Sequence, residues 1–160
     1  MRLLLPDANA TEVLGQWLAA TRPTSAVVYL HGELGAGKST LARALLRSLG
    51  VTGAIRSPTY TLVERYPLRD GDEALHLDLY RIGDAGELEF LGLDATDVAL
   101  WLVEWPERGG SALPKADLRV DLDIAGAGRS AELTPVTKSG HDWLRGLADN
   151  PGLQSLLASS

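Results

Sequence analysis

Residues 26–50 read AVVYLHGELGAGKSTLARALLRSLG, and this stretch decides the fold. Its first six residues form a continuous β-prone run, which predicts a strand covered on both faces. From Lys38 onward, leucines recur every four residues, the pattern of an amphipathic helix, and Gly50 suits a left-handed cap at its end. The sequence therefore places a glycine-rich loop between a strand and a helix.

The loop from Gly32 to Ser39 matches the phosphate-binding pattern G-x-x-x-x-G-K-[ST] at every fixed position. Glycines let successive backbone N–H groups approach phosphate oxygens, and the following helix offers its positive end. Lys38 can reach the terminal phosphates, and the Ser39 hydroxyl can complete the shell of a Mg²⁺ ion. This P-loop predicts a site for a nucleoside triphosphate with magnesium.

Composition narrows the class of protein. With 160 residues, 45% of them hydrophobic and 22% charged, the chain has the balance of one globular domain. A net charge of -6 argues against binding nucleic acid through the protein's own field. The chain has no cysteine, which excludes disulfides and thiolate metal sites. Pro6 interrupts the apolar start well short of a signal-peptide core, so we expect a cytoplasmic protein without a membrane role.

The rest of the chain alternates between short strands and helices. The patterns predict a helix capped by Asn9 and Glu12, extended or strand segments at 57–67, 74–81 and 98–105, a hairpin of 117–124 with 130–136, a helix at 141–147, and a tail at 151–160 that frays. Together they indicate a three-layer α/β P-loop fold with a mainly parallel central sheet and an antiparallel edge. We assign 1–137 to the nucleotide-binding domain and 138–160 to a helix and flexible tail of the same domain.

Two carboxylates are candidates to complete a hydrolysis site beside the P-loop. Asp78 and Glu104 fall late in apolar runs, and ligands of open α/β sheets bind beyond the carboxyl ends of the strands. For Asp78 the other interpretation is a solvent-facing residue of an alternating strand. Glu104 follows five apolar residues, and an ionised carboxylate is costly to bury alone, so we expect a cation or strong donors beside it.

Other polar and aromatic residues are less informative. Trp105 suits either the core or a stacking wall at the pocket edge. His31, His76 and His141 lack metal-ligand spacing and are interpreted as packed or rim residues. The segment PKAD at 114–117 departs from the guanine-reading N-K-x-D element at its first position, which favours adenine.

Five strings in order, GELGAGKST, SPTYTLVERY, LHLDLYR, ELEFLGL and LVEWPERG, resemble the TsaE (YjeE) family of bacterial P-loop ATPases. The resemblance runs from about residue 11 to residue 129. It implies an ATPase that works with TsaB and TsaD in forming N6-threonylcarbamoyladenosine beside the anticodon of tRNA. In that system TsaD transfers the group to tRNA, and ATP hydrolysis by the TsaE protein resets the complex, so tRNA is reached only through the partners.

The resemblance also assigns residues by position. It implies that Lys38 and the loop amides hold the phosphates of ATP or ADP, that Ser39 and Glu104 bind Mg²⁺, and that Asp78 takes the acidic Walker B position. The residues it implies for the nucleotide are Thr11, Glu33, Leu34, Gly35, Ala36, Gly37, Lys38, Ser39, Thr40, Trp105 and Arg129, with Lys38, Asp78 and Glu104 catalytic. Thr59 and Thr61 lie in a switch-like segment, and ELEFLGL at 87–93 is a second one.

The sequence also suggests that hydrolysis depends on partners. Phosphoryl transfer gains from a cation placed on the developing charge, and no arginine-rich lid is evident among Arg56, Arg65 and Arg81. We therefore expect slow hydrolysis by the isolated chain. Two alternatives stay open: a small-molecule P-loop kinase, disfavoured by the acidic segment between 81 and 101, and a nucleotide-gated binding module in which hydrolysis is incidental.

Overall fold

The computed structural model describes residues 1–58, 61–69, 71–83, 86–88 and 98–158. Its main elements are seven strands and three α-helices, with short 3-10 helices in the connections and near the end of the chain. In chain order the elements are β1 (Arg2–Leu5), α1 (Ala8–Thr21), β2 (Ala26–His31), α2 (Lys38–Ser48), β3 (Val63–Pro67), β4 (Glu73–Asp78), β5 (Val98–Glu104), β6 (Leu118–Ala125), β7 (Gly128–Pro135) and α3 (Lys138–Ala148). None of the helices in these ranges is long and apolar enough to cross a membrane.

One sheet contains all seven strands in the order β1-β7-β6-β2-β5-β4-β3. The four central strands, β6, β2, β5 and β4, pair in parallel. Antiparallel pairs flank them on both sides, β1 with β7 and β7 with β6 on one side and β3 with β4 on the other. The predicted α/β class is therefore confirmed, with two antiparallel edges where the sequence suggested one.

The sheet separates two apolar clusters. The larger one joins the three α-helices to one face of the sheet, with Leu14, Leu45 and Leu147 among its members. The smaller one lies on the other face and is built from Leu77, Val103 and residues of short turns. Because β2 and β5 are covered on both faces, their sequences are continuous apolar runs rather than alternating ones.

The structure corrects two local predictions and adds one strand. The cap of α1 is Asp7, whose carboxylate accepts a hydrogen bond from the Ala10 amide at 2.8 Å, while Asn9 lies inside the helix. Residues 2–5, for which no element was predicted, form β1. Residues 151–158 do not fray: Leu153 is fully buried, and the Ala158 amide donates to the Arg2 carbonyl at 3.0 Å.

The predicted alternation of 74–81 also has a different outcome. Strand β4 ends at Asp78, and five of its six residues are buried because β3 and β5 pair on its two sides and both faces are covered. His76 and Asp78 therefore project from a buried strand. The β6–β7 hairpin is confirmed with close bounds, whereas α3 begins at Lys138, three residues before the predicted start.

Candidate functional site

The P-loop joins the carboxyl end of β2 to the start of α2, as its sequence predicts. Gly32 has a φ of 151°, and a Cβ on it would lie 2.5 Å from the Leu122 carbonyl oxygen, so only glycine fits. Gly37 precedes α2 with a φ of 107°. Since the first amides of an α-helix have no acceptor within the helix, α2 presents N–H groups and a positive end toward the loop.

Lys38 is held inside this loop. The residue is only 5% exposed, and its ammonium group donates to the carbonyl oxygens of Gly32 and Glu33. The same nitrogen lies 4.5 Å from the centroid of the Trp105 ring, within the range of a cation–π interaction. A buried cation with backbone and aromatic partners is thus positioned where an anionic ligand would meet it.

Asp78 and Glu104 lie side by side at the carboxyl ends of two neighbouring parallel strands. They are register partners of β4 and β5, and they are 9% and 3% exposed. The Asp78 carboxylate accepts a hydrogen bond from the Tyr80 amide at 3.0 Å. Burial raises the pKa of Asp78 and the nearby charge of Glu104 raises it further, while the Tyr80 hydrogen bond acts in the opposite direction.

The donor expected beside Glu104 is His76. Its Nε2 lies 2.6 Å from Oε2 of Glu104, and both side chains are almost fully buried. The sequence alone groups His76 with packed and rim residues and does not connect it to the site. Its position two residues before Asp78 on the same strand was the available signal, because residues i and i+2 of a strand share a face.

One cavity of about 230 Å³ brings most of the predicted residues together. Its lining consists of Leu34, Gly35, Gly37, Lys38, Ser39, Thr40, Asp78, Glu104, Trp105 and Arg129. A neighbouring cavity of about 220 Å³ shares Gly37, Thr40 and Arg129 with the first and adds Thr11. The resemblance assigns both Thr11 and Trp105 to the nucleotide. The two residues line different cavities, and these adjoin because the end of the P-loop and Arg129 line both.

Trp105 is a wall of the cavity. It is half-buried, with a left-handed backbone at φ 57°, and its ring centroid lies 4.9 Å from that of Tyr80. The residue also packs against the smaller apolar cluster, so its placement combines the two interpretations left open by the sequence, core and pocket edge. Arg129 reaches the loop from β7, donating to the Gly35 carbonyl at 3.0 Å.

Other predicted residues lie away from this cavity. The exposed Thr61 donates to the Glu64 carboxylate at 2.9 Å, while Thr59 and positions 89–93 of the second switch-like segment are outside the described residues. Asp117 of the PKAD segment accepts from the Val27 amide at 2.9 Å, near the amino ends of β2 and β6. It thus ties two strands together at the end of the sheet opposite the P-loop.

The residues present fit a nucleotide with magnesium. Lys38, Arg129 and the start of α2 supply positive charge for phosphates, and Ser39 and Glu104 supply the oxygen ligands that Mg²⁺ prefers. Within the described ranges, no group of three or more His, Asp or Glu could hold a metal ion. Mg²⁺ is usually held by one or two protein oxygens together with substrate phosphates, and Ser39 and Glu104 could supply such oxygens here.

Comparison with known proteins identifies the family. Residues 5–131 match the family model described as "Threonylcarbamoyl adenosine biosynthesis protein TsaE". The chain is 46% identical over 117 residues to a protein from Haemophilus influenzae, covering 71% of this chain and 73% of that one. A protein from Streptomyces coelicolor is 40% identical over 130 residues, covering 79% and 88%. Both are named tRNA threonylcarbamoyladenosine biosynthesis protein TsaE.

A solved structure agrees with these sequence matches. The crystal structure of YdiB from Bacillus subtilis superimposes with a TM-score of 0.74 at 26% identity, over 92% of this chain and 93% of that one. At this coverage the two proteins share the fold over nearly the whole chain. The protein belongs to the TsaE family, the one that its ordered motifs resemble.

Proposed function

We propose that this protein is the ATPase of tRNA threonylcarbamoyladenosine biosynthesis and that it hydrolyses Mg-ATP to cycle a transferase formed by TsaB and TsaD. The relatives' names supply the pathway. One observation carries the activity: the P-loop lysine, the Ser39 hydroxyl and two buried carboxylates line a single cavity. This is the set of parts that P-loop hydrolases use.

The phosphates would be bound by groups that the fold already positions. The start of α2 offers its N–H groups, and Lys38 would exchange the Gly32 and Glu33 carbonyl oxygens for phosphate oxygens. Because Lys38 is buried, its charge is little screened by water and acts strongly on the transferred phosphoryl group.

The metal would be bound, and the attacking water activated, by side-chain oxygens of Ser39, Asp78 and Glu104. Bound magnesium would neutralise charge between the terminal phosphates, and Ser39 with Glu104 would hold it. Asp78 lies beside Glu104 and has a raised pKa, which makes it a better proton acceptor than an exposed carboxylate. The water is activated by one of these two carboxylates, and the variants below decide which.

The cations around the cavity support the proposed dependence on partners. Within the described residues, those lining it are Lys38 and Arg129, and Arg129 is bonded to the Gly35 and Gly128 carbonyls. Arg65 is bonded to Glu73 at 2.8 Å, at the far end of β4 from Asp78. A cation placed on the transition state by a partner can raise the rate of phosphoryl transfer by about 10³ to 10⁵.

The proposal is tested by measuring phosphate release from ATP with the isolated chain and with TsaB and TsaD added. We expect slow release alone and a large stimulation by the two partners, with magnesium required in both cases. Rapid hydrolysis that ignores the partners would contradict the cycle. Phosphate appearing on a metabolite instead of in solution would favour a kinase.

A second measurement separates hydrolysis from nucleotide-gated binding. Variants Asp78→Asn and Glu104→Gln keep the size of each side chain and remove its charge. If both bind ATP and tRNA modification continues at the normal rate without hydrolysis, the protein is a binding module. We expect modification to stop after the first turnover of the complex. A variant that loses single-turnover hydrolysis but keeps magnesium-dependent ATP binding identifies the carboxylate that activates water.

A further inference from the structure

The contact between His76 and Glu104 is not used by the proposed function, yet it lies directly behind the cavity. His76 and Asp78 project to the same face of β4 as Ala74, which belongs to the larger apolar cluster, while Leu75 and Leu77 belong to the cluster on the other face. Glu104 lines the cavity, whereas His76 is not part of the lining. The His76 imidazole therefore contacts the Glu104 carboxylate from the protein interior, on the side away from the cavity.

The direction of the hydrogen bond follows from the chemistry of the two groups. An ionised carboxylate only accepts, so at 2.6 Å the proton lies on Nε2 of His76 and is donated to Oε2 of Glu104. The other ring nitrogen, Nδ1, is buried and has no hydrogen-bond partner among the described residues. A lone pair on Nδ1 is easier to leave there than a buried, unpaired N–H, which agrees with the donated hydrogen lying on Nε2.

Stability does not account for this pair. Replacing a buried polar pair by apolar residues of similar volume is often neutral or stabilising. The neighbours of His76 and Glu104 on the same face of these strands are the buried apolar residues Ala74, Leu100 and Leu102, so an apolar pair would have fitted the same layer. The hydrogen bond does supply a fixed orientation for the carboxylate of Glu104, which is the last residue of β5.

We propose that His76 is a positioning residue for the divalent cation: its Nε2–H holds one oxygen of Glu104 so that the other is presented to the metal beside Ser39. The inference rests on the proposed function, because it assigns His76 a role in the same magnesium site. Groups that orient a metal-binding side chain from behind typically contribute a factor of about 10 to 100 in metal affinity. The nucleotide itself, held by the P-loop, should bind almost equally well without His76 when no metal is present.

The test compares His76→Gln with His76→Asn. Both are neutral amides, but the Gln side-chain nitrogen can reach the position of Nε2, whereas the shorter Asn nitrogen falls near the position of Nδ1. The pair therefore differs in reach and hardly in polarity. His76→Leu removes the donor altogether, and thermal unfolding of each variant shows whether it retains the native fold.

The readout is binding and requires no turnover. ADP affinity is measured by calorimetry in EDTA and in excess Mg²⁺, and Mn²⁺ binding to the ADP complex is measured by electron paramagnetic resonance. We expect His76→Asn and His76→Leu to lose about tenfold or more in Mn²⁺ affinity and most of the gain that Mg²⁺ gives to ADP binding. Their ADP affinity in EDTA should stay within about twofold of the parent, and His76→Gln should remain close to the parent throughout.

Each outcome decides a different question. Native-like folding of His76→Asn with parental Mn²⁺ affinity would overturn the positioning role, as would equal losses in the Gln and Asn variants. If His76→Leu fails to fold, the Gln and Asn pair still decides. If the parent chain itself binds ADP without any response to Mg²⁺, the proposed function fails, and the role of His76 falls with it.

Discussion

Two regions of the sheet make opposite use of buried positions. Around the carboxyl ends of β4 and β5 and the adjoining groove lie all five buried polar or charged residues of the described chain: Thr11, Lys38, His76, Asp78 and Glu104. The side formed by β1, β7, β6 and α3 buries apolar residues such as Leu3, Leu133 and Trp143. Burying polar groups costs free energy, so the first region is maintained by the stability of the second.

The largest expected effect comes from breaking the chemistry without touching the scaffold. Lys38→Met keeps the aliphatic stem and removes the ammonium that contacts the loop carbonyls. We expect the rate of ATP hydrolysis to fall by about 10² to 10³, the loss typical of removing one preorganised donor from a transition state. Steady-state phosphate release measures it.

Lys115→Met is the matched control, because Lys115 is exposed and does not line the cavity of Lys38. It should hydrolyse ATP at the parental rate. Equal rates for the two variants would show that the P-loop lysine is not part of the catalytic site.

A smaller effect is expected from breaking the scaffold without touching the chemistry. A Cβ on Gly140 of α3 would lie 1.9 Å from the Asp117 carbonyl oxygen, so Gly140→Ala must move backbone against backbone. We expect a loss of about 1–3 kcal/mol in the free energy of unfolding, measured by denaturant titration. At roughly 2–4 °C per kcal/mol, the melting temperature falls by several degrees, while hydrolysis per folded molecule is unchanged.

Gly146→Ala provides the control on the same helix. The nearest atom to its added Cβ is Cβ of Thr21 at 3.9 Å, an ordinary contact. Removing a helical glycine should then stabilise by up to about 1 kcal/mol. If both variants behave alike, the close approach of α3 to Asp117 does not constrain the fold.

The smallest expected effect is a dependence of the free energy of unfolding on pH, caused by the burial of Asp78 in the polar region. Because the folded-state pKa of Asp78 is raised, the folded protein binds the proton more tightly than the unfolded chain does. Stability should therefore fall as the pH rises from the unfolded value of about 3.9 through the raised value. Above that window, Asp78→Asn should be slightly more stable than the parent, because its side-chain oxygen still accepts from the Tyr80 amide while no charge is buried.

Denaturant unfolding in EDTA across a pH series measures this difference. It should shrink as the pH falls and vanish well below about pH 3.9, where the aspartate is protonated in both states. Asp123→Asn, at an exposed position, should show a smaller change. A parent chain more stable than Asp78→Asn at neutral pH would mean that Asp78 is stabilised by partners stronger than its burial cost.

Sequence reasoning succeeded where the signal is local or continuous. The P-loop, β2, β5 and the β6–β7 hairpin each lie in a contiguous pattern, and the structure confirms them with close bounds. It failed for β1 because this strand of four residues is defined by pairing with β7, far along the chain. The segment at 151–158 was missed for the same reason, since Leu157 bridges to Leu3.

The site shows the same division. Lys38, Asp78 and Glu104 could be chosen from one motif and two strand ends, and the structure brings them into one cavity. The sequence indicates that Glu104 needs a hydrogen-bond donor but does not identify the residue. Identifying His76 requires the pairing of β4 with β5, which the sequence does not give. The split of Thr11 and Trp105 between two cavities depends on how α1 packs against α2.

The contact between Gly32 and Leu122 has a consequence for synthesis on the ribosome. The two residues lie roughly 90 positions apart, so the first residue of the P-loop packs against β6, a strand that is translated much later. A nascent chain that ends before β6 carries the motif without the surface that shapes it. We therefore expect nucleotide affinity to arise late in translation, as a sign that the central sheet has closed.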